Sequence, residues 1–323
     1  METLVVAKRG SLDEVYHTGS ICVVNKDNKI IYSIGDVQQN IFMRSTSKVF
    51  QILPFLYYGL EKKYQLSLKE IAIMISSHIG SLEHIDVLKS IMEKTGVKES
   101  DFCIKPAYPI SFESTKYFIE NGIAPSPIFH MCSGKHLGLM LVEKEFRADY
   151  QKYYEESSYA TKESMKFIAL MAEMKQDKII VGLDGCGVPV FGLPLYHAAI
   201  AFKNLTFTNH SDNKLNEAIK IVNEAISTYP EIVRGKDYFC TYHNYDSNVI
   251  GKDGAHGYYA FGLKKEHLGI AFKLFSGDMN MFPYVVNHLY SKINYSNDKL
   301  LPYLKFEYLN DNEQVIGEYE AIF

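Results

Sequence analysis

Long apolar runs are missing from this 323-residue chain. No stretch approaches the roughly 20 residues that a membrane helix needs, so no membrane partner is expected. Met1–Gly10 holds too short an apolar stretch for a signal peptide. Cysteine is scarce: Cys22, Cys103, Cys132, Cys186 and Cys240 are odd in number and widely spaced. With no secretory context, that argues against a disulfide framework and for reduced thiols in a cytoplasmic protein. An excess of either charge is lacking too. The 34 Lys and Arg against 38 Asp and Glu leave a net charge of −4 and no basic patch, which excludes nucleic acid as an expected partner. Internal repeats and low-complexity tracts are absent. Tryptophan is absent as well, beside 24 tyrosines, and this points to no function.

Hydrophobic residues make up 47% and charged residues 22%, the composition of a globular chain with length for a sizeable core. Ser20–Val24 and Lys29–Ser33, around Asn25-Lys26-Asp27-Asn28, predict a β-hairpin. Helices are expected over Leu66–Ser77, His84–Lys94, Leu137–Glu145, Ser211–Thr228 and Met279–Ile293. Tyr150–Met174 reads as a charged, solvated outer helical layer. Strands are expected at Lys178–Val181, Tyr258–Leu263 and Leu268–Phe275, with a closing hairpin from Leu304–Leu309 and Gln314–Ala321. Strands thus cluster at both chain ends. The fold class expected is α+β: a single domain whose antiparallel sheet is built from residues 1–45 and 240–323, flanked by helices, with a helix-rich region over 46–239 inserted.

The chemistry concentrates in Phe42-Met43-Arg44-Ser45-Thr46-Ser47-Lys48-Val49-Phe50-Gln51. Ser45 stands where a loop becomes a helix, and Lys48 follows one turn on, so its amine can reach the Ser45 hydroxyl. A serine alone is a poor nucleophile, and a neutral lysine beside it can take its proton. The same Ser-x-x-Lys unit serves serine β-lactamases and penicillin-binding proteins. The spacing is common, however. It recurs at Ser211/Lys214 and Ser296/Lys299, and a serine ahead of a helix is also an ordinary N-cap. Ser211-Asp212-Asn213 is read as such a cap.

Four further stretches carry candidate site residues. Ser76-Ser77-His78-Ile79-Gly80-Ser81 is a site loop or a pair of helix caps. Phe129 to Gly138 gathers Cys132, Lys135 and two histidines. It suits an anion or a metal and lacks P-loop spacing. Gly182 to Pro189 sets Asp184 and Cys186 among three glycines, a tight turn or a close approach to a ligand. Ile250 to Gly257 holds Lys252 before two strand-like runs, in the manner of a Lys-x-Gly signature or as a polar turn.

In their order, these motifs resemble the thermolabile-type bacterial L-asparaginases, a zinc-dependent group related in fold to serine β-lactamases and glutaminases. The likeness runs from Glu14-Val15-Tyr16-His17-Thr18-Gly19 through Arg44–Lys48, Ser77-His78-x-Gly80 and Cys132–His136 to Asp184–Pro189. It implies Ser45 as nucleophile, Lys48 as its base, Ser77 as a second hydroxyl relaying protons, and Lys252 as a further site lysine, with Lys273 as its rival. It implies Asp184 at the substrate α-amine and His78 in the substrate site. Charge places Arg44 at the substrate carboxylate. It implies one zinc on Cys132, Lys135 and Cys186, L-asparagine as the small-molecule substrate, and a homodimer. Spacing alone selects no lysine as a metal ligand. The chain departs from the pattern at Ser81-Leu82, where the family has Glu-Pro, and at Met131, where it has Asn. The expected activity is asparagine amidohydrolysis. A glutaminase or another serine amidase of the same fold, or an amino-acid-binding protein without turnover, stands beside it.

Overall fold

The computed structural model describes residues 2–323. The strands are β1 (Glu2–Arg9), β2 (Leu12–Val24), β3 (Ile30–Ile34), β4 (Asn40–Phe42), β5 (Ile180–Leu183), β6 (Pro189–Pro194), β7 (Val249–Gly254), β8 (Tyr258–Leu263), β9 (Leu268–Leu274), β10 (Glu307–Leu309) and β11 (Val315–Ala321). The hairpin expected near residue 26 joins β2 and β3. Asn25 Oδ1 accepts from the backbone of Asp27 and Lys29, both at 3.0 Å. That local bonding is what makes asparagine a turn former.

The main sheet is antiparallel and runs β10-β11-β1-β2-β9-β8-β7, with β3 paired to β2. The α+β architecture and the sheet built from both chain ends therefore match expectation. The middle of the chain differs from the helical region expected there, because β5 and β6 form a small second sheet with β4.

Both faces of the main sheet are covered. On β2, Ile21 and Val23 enter one hydrophobic cluster while Cys22 and Val24 enter the other. This is the period-2 alternation of a strand buried on both sides. The helix Leu195–Asn204 lies on one face against β2, β8 and β9. It approaches so closely that a Cβ on Gly269 would stand 2.0 Å from the Ala199 carbonyl oxygen. The helix Phe282–Lys292 covers the other side, against β1 and β11.

Helix Leu68–Ile75 starts with a Ser67/Glu70 capping box, in which each side chain satisfies a backbone N–H of the other residue. Helix Leu82–Thr95 starts with Ser81 and His84 in the same arrangement. Helix Asn213–Thr228 is capped by Asp212, which accepts from Lys214 and Leu215. The cap is therefore one residue later than Ser211. The outer layer expected over Tyr150–Met174 is corrected. Its helix spans only Tyr159–Met171 and buries Phe167, Ile168 and Met171, because it packs on the helices that follow Ser45 and on Ser133–Phe146.

Strand β7 is one of the two edge strands that end the main sheet's path, β10 being the other. It packs on the turn that carries Ser45. A Cβ on Gly254 would stand 2.9 Å from the Met43 carbonyl oxygen, so a side chain there would push the edge strand off the turn.

Candidate active site

Met43 is tied to Phe191 of β6 by its N–H at 2.8 Å. Arg44–Ser47 then make a single 3-10 turn before the helix Lys48–Gln51. Thr46 and Ser47 bond back to the carbonyls of Met43 and Arg44 at 2.7 and 2.8 Å. Arg44 takes φ +51°, a left-handed conformation that costs a side chain on the order of 1 kcal/mol. Ser45 follows it, half-buried, at the start of the helical stretch.

Lys48 is buried. Its Nζ donates to the Ser76 carbonyl at 2.6 Å and to Ser77 Oγ at 3.1 Å. No hydrogen bond joins Lys48 Nζ to Ser45 Oγ among the described residues. Ser77 Oγ is also 3.1 Å from Lys252 Nζ. The second serine thus sits between two buried amines that lie 204 positions apart in the chain (252 − 48). Burial, reinforced by the charges of Lys135 and Lys252 and opposed by Cys132 and Cys186, depresses Lys48 to about 8. That is the direction a base needs. Lys252 is completely buried on β7 and paired with Asp253. Lys273 is elsewhere: its amine is held by the carbonyls of His256 and Leu274 at 2.6 and 2.5 Å.

A second group of charges adjoins Ser45. Arg44 Nη2 pairs with Asp184 Oδ1 at 3.1 Å, and Lys135 Nζ with Asp184 Oδ2 at 3.2 Å. Gly185 N–H also donates to Asp184 at 2.9 Å. Burial works against the Asp184 carboxylate, but Lys135 and Arg44 outweigh it and hold its pKa down. Arg44 Nη1 is also 3.2 Å from His256 Nδ1. Arg44 lines a cleft of about 270 Å³ with Phe42, His256, Tyr258 and Lys273. A larger cleft, about 400 Å³, opens away from the serines between Asp237, Tyr242, Tyr284 and Tyr303.

Cys132, Lys135 and Cys186 converge beside this group. The Cys186 thiol donates to Asp184 Oδ2 at 3.7 Å. The neighbouring Cys186, opposed by burial and aided by Lys48 and Lys135, holds Cys132 well below an ordinary thiol, while Cys132 and burial push Cys186 up. Lys135 Nζ lies 3.2 Å from Cys186 Sγ. Two zinc ligands on tetrahedral N and S bonds stand about 3.6 Å apart, so the chemistry of the donor set and its Lys135–Cys186 spacing are compatible with a single ion. Among the described residues no three His, Cys, Asp or Glu side chains form a metal-holding group, so the set depends on the lysine amine.

His78 is buried with both ring nitrogens engaged. Gly80 N–H donates to its Nδ1 at 3.0 Å, which leaves the proton on Nε2 to donate to Ser133 Oγ at 2.8 Å. Burial, with His84 and Lys48 nearby, keeps the ring neutral. In the free protein His78 ties the Ser77 loop to the helix Ser133–Phe146. Ser81 belongs to a helix cap, with Oγ 2.6 Å from His84 Nδ1. Met131 is half-buried against the core.

Two charged residues here went unrecognised in the sequence. Arg234 and Asp253 pair at 2.6 Å directly behind Lys252 and Ser77. Arg234 lies in no motif, Asp253 is only the unspecified middle position of Lys252-x-Gly254, and Tyr238–Tyr245 close by carries no local signal.

The family model described as L-asparaginase II matches residues 5–321. No curated protein matches the chain in sequence. Among solved structures it is similar to a putative beta-lactamase from Bacteroides dorei, at 11% identity over 79% of this chain and 84% of that one, with a TM-score of 0.41. It is similar also to a Bacillus glutaminase, at 14% identity over 86% of this chain and 91% of that one, with a TM-score of 0.40.

Proposed function

The chain belongs to the L-asparaginase II family, and from that premise we propose that it is an L-asparagine amidohydrolase working through an acyl-enzyme on Ser45. The observation that carries this reading is the Ser77 hydroxyl held at 3.1 Å by both Lys48 and Lys252, next to the turn that carries Ser45.

Arg44 and Asp184 neutralise each other in the free protein. A bound amino acid can replace that pair with two matched ones, its carboxylate on Arg44 and its ammonium on Asp184. The side-chain carboxamide then faces Ser45. Neutral Lys48 takes the Ser45 proton as Oγ bonds to the amide carbon. Catalytic hydrogen bonds that are long in a free enzyme tighten around substrate, so Lys48 need shift only from Ser77 towards Ser45. When the carbon–nitrogen bond breaks, the proton passes from Lys48 through Ser77 Oγ to the departing nitrogen, which leaves as ammonia. Water then cleaves the aspartyl ester with Lys48 again as base, and Ser45 recovers its proton. Lys252 holds Ser77 in line and, as a cation, helps to depress Lys48.

Cys132, Lys135 and Cys186 are the residues that would hold one zinc ion. When bound, zinc would supply a fixed positive charge beside Asp184 and shape substrate affinity. The chain's own residues perform the acyl transfer. Lys135 must lose its proton to become a ligand.

The test is ammonia release from asparagine by purified protein, compared with glutamine and a β-lactam. No release from asparagine at millimolar concentration, with and without zinc, overturns the proposal. Faster release from glutamine moves the assignment to a glutaminase. Calorimetric binding of asparagine without release identifies a binding protein. A second reading makes Ser77 the nucleophile, because Ser77 and not Ser45 touches both amines. Its near-complete burial stands against that.

A further inference from the structure

Arg234 and Asp253 lie one step behind the serine–lysine centre. Arg234 Nη1 donates to the Ser77 carbonyl at 2.9 Å. The preceding residue completes the grip, since the Ser77 N–H donates to the Val233 carbonyl at 2.9 Å. Ser77 is thus held on both sides of its Cα by consecutive residues of one segment. Through Nε the same guanidinium pairs with Asp253 Oδ2 at 2.6 Å, and Asp253 Oδ1 pairs with Lys252. Lys252 in turn holds Ser77 Oγ at 3.1 Å. The contacts close a ring: Arg234, Asp253, Lys252, Ser77 and back to Arg234. Tyr238 stacks on the guanidinium, 4.0 Å from Arg234 Cζ to the ring centre.

We infer that Arg234 is a positioning residue for the Ser77–Lys252 pair, acting through the Ser77 backbone and the Asp253 carboxylate. The chemistry supports this on two counts. Asp253 is buried between two cations, and a carboxylate left with one partner is free to swing its other oxygen. Lys252 lies on an edge strand with a long flexible stem, so its amine position depends on that carboxylate. The one guanidinium donates to Ser77 O through Nη1 and, as a charge, pairs with Asp253 through Nε, whose N–H is not aligned for a hydrogen bond. Displacements on the order of 1 Å around reacting groups cost about 100-fold in rate.

The fold offers direct access for a test. Arg234, Tyr238, Asp253, Phe282 and Tyr303 line a cleft of about 240 Å³, large enough to admit a guanidinium ion where the side chain has been removed. The inference rests on the proposed amidase reading. The experiment is Arg234→Ala, assayed for asparagine turnover with guanidinium chloride at non-denaturing concentration and with tetramethylammonium chloride at equal ionic strength. The expected result is a fall in kcat of about 100-fold, KM within about threefold of wild type, and partial recovery with guanidinium only. Amide hydrogen exchange over residues 76–78 is followed in parallel. It should accelerate in the variant and slow again with guanidinium. Arg234→Lys keeps a cation beside Asp253 but loses the Nη1 donor to Ser77 O, and its kcat and its exchange over residues 76–78, without guanidinium, decide the question if Arg234→Ala does not fold. A folded variant with wild-type kcat and wild-type exchange overturns the inference. If wild-type protein itself releases no ammonia, the amidase reading fails, and the exchange measurement alone decides the positioning role.

Discussion

Lys48 donates to Ser77 Oγ at 3.1 Å rather than to Ser45, three residues before it on its own turn. In a 3-10 turn the side chains of residues i and i+3 eclipse, so the two groups share a side of the turn. The lysine stem is long enough to pass beyond Ser45 and end on the neighbouring loop. In the proposed mechanism the base therefore starts on the proton relay, and substrate binding must bring the Ser45 proton to it.

The two serines separate by covalent trapping. Ser45→Ala is expected to lower kcat on the order of 10⁴-fold with the fold intact. Ser77→Ala is expected to lose about 10²- to 10³-fold, the scale of a proton-transfer group. Mass spectrometry of a quenched reaction with a slow amide substrate should place the acyl group on Ser45. An adduct on Ser77 would reverse the assignment of nucleophile and relay.

The rate should follow the protonation of Lys48. Its amine lies at about 8, against 10.5 for an ordinary lysine. As a base it works only when neutral, so kcat should climb about tenfold per pH unit below 8 and level off above it. Stability follows by linkage. Between about 8 and 10.5 the unfolded chain holds a proton that the folded chain has lost, so the contribution of Lys48 to stability increases with pH across that window. A kcat plateau already reached at pH 6.5 would assign the base to another group.

Zinc binding should release protons. The thiols and Asp184 outweigh burial and raise the pKa of Lys135, so its amine is charged before metal enters. Cys132 and burial push the Cys186 thiol up, so that thiol carries one more proton. Loading one ion should therefore free about two protons at neutral pH, measurable in a weakly buffered titration. Elemental analysis should find metal in the wild type and not in Cys132→Ser, and chelation should raise KM more than it lowers kcat. Metal in neither protein, with KM indifferent to added zinc, removes the site and leaves the acyl-transfer proposal standing.

Gly269→Ala probes the contact between the sheet and the helix above it. The new methyl carbon would stand 2.0 Å from the Ala199 carbonyl and 2.6 Å from Lys203 N. Backbone on both sides leaves nothing flexible to move. A loss of about 1–3 kcal/mol or more is expected, read as a lower urea midpoint. Ser211→Ala should be silent, whereas Asp212→Ala should cost about 1 kcal/mol through its lost cap. Equal losses at positions 211 and 212 would contradict the capping geometry.

Much of the fold was legible because it is local. Asn25 and Asn28 make their own turn, Ser67 and Glu70 cap each other, and alternation on β8 and β9 sets which face each side chain takes. The second sheet was not legible. Pro189–Pro194 reads as the tail of a glycine-rich turn and becomes the central strand of a sheet, between Ile180–Leu183 just before it and Asn40–Phe42, well over a hundred residues earlier. The helix Tyr159–Met171 has charges enough to read as solvated, and only its packing against the helices that follow Ser45 and against Ser133–Phe146 buries it.

By itself the sequence determined which chemical groups are present and their spacing within a few residues: a serine three before a lysine, thiols beside glycines, an acid at Asp184. Periodicity and capping act over about one helical turn, so they reach no further. The tertiary structure decided which amine meets which hydroxyl. Packing β7 on the Arg44–Ser47 turn brings Lys252 to Ser77 and leaves Lys273 with two carbonyls. It also sets Arg234 behind them both. Burial then moves Lys48 to about 8. That shift comes from the loss of water around the amine, and water is excluded only when segments distant in the chain close over it.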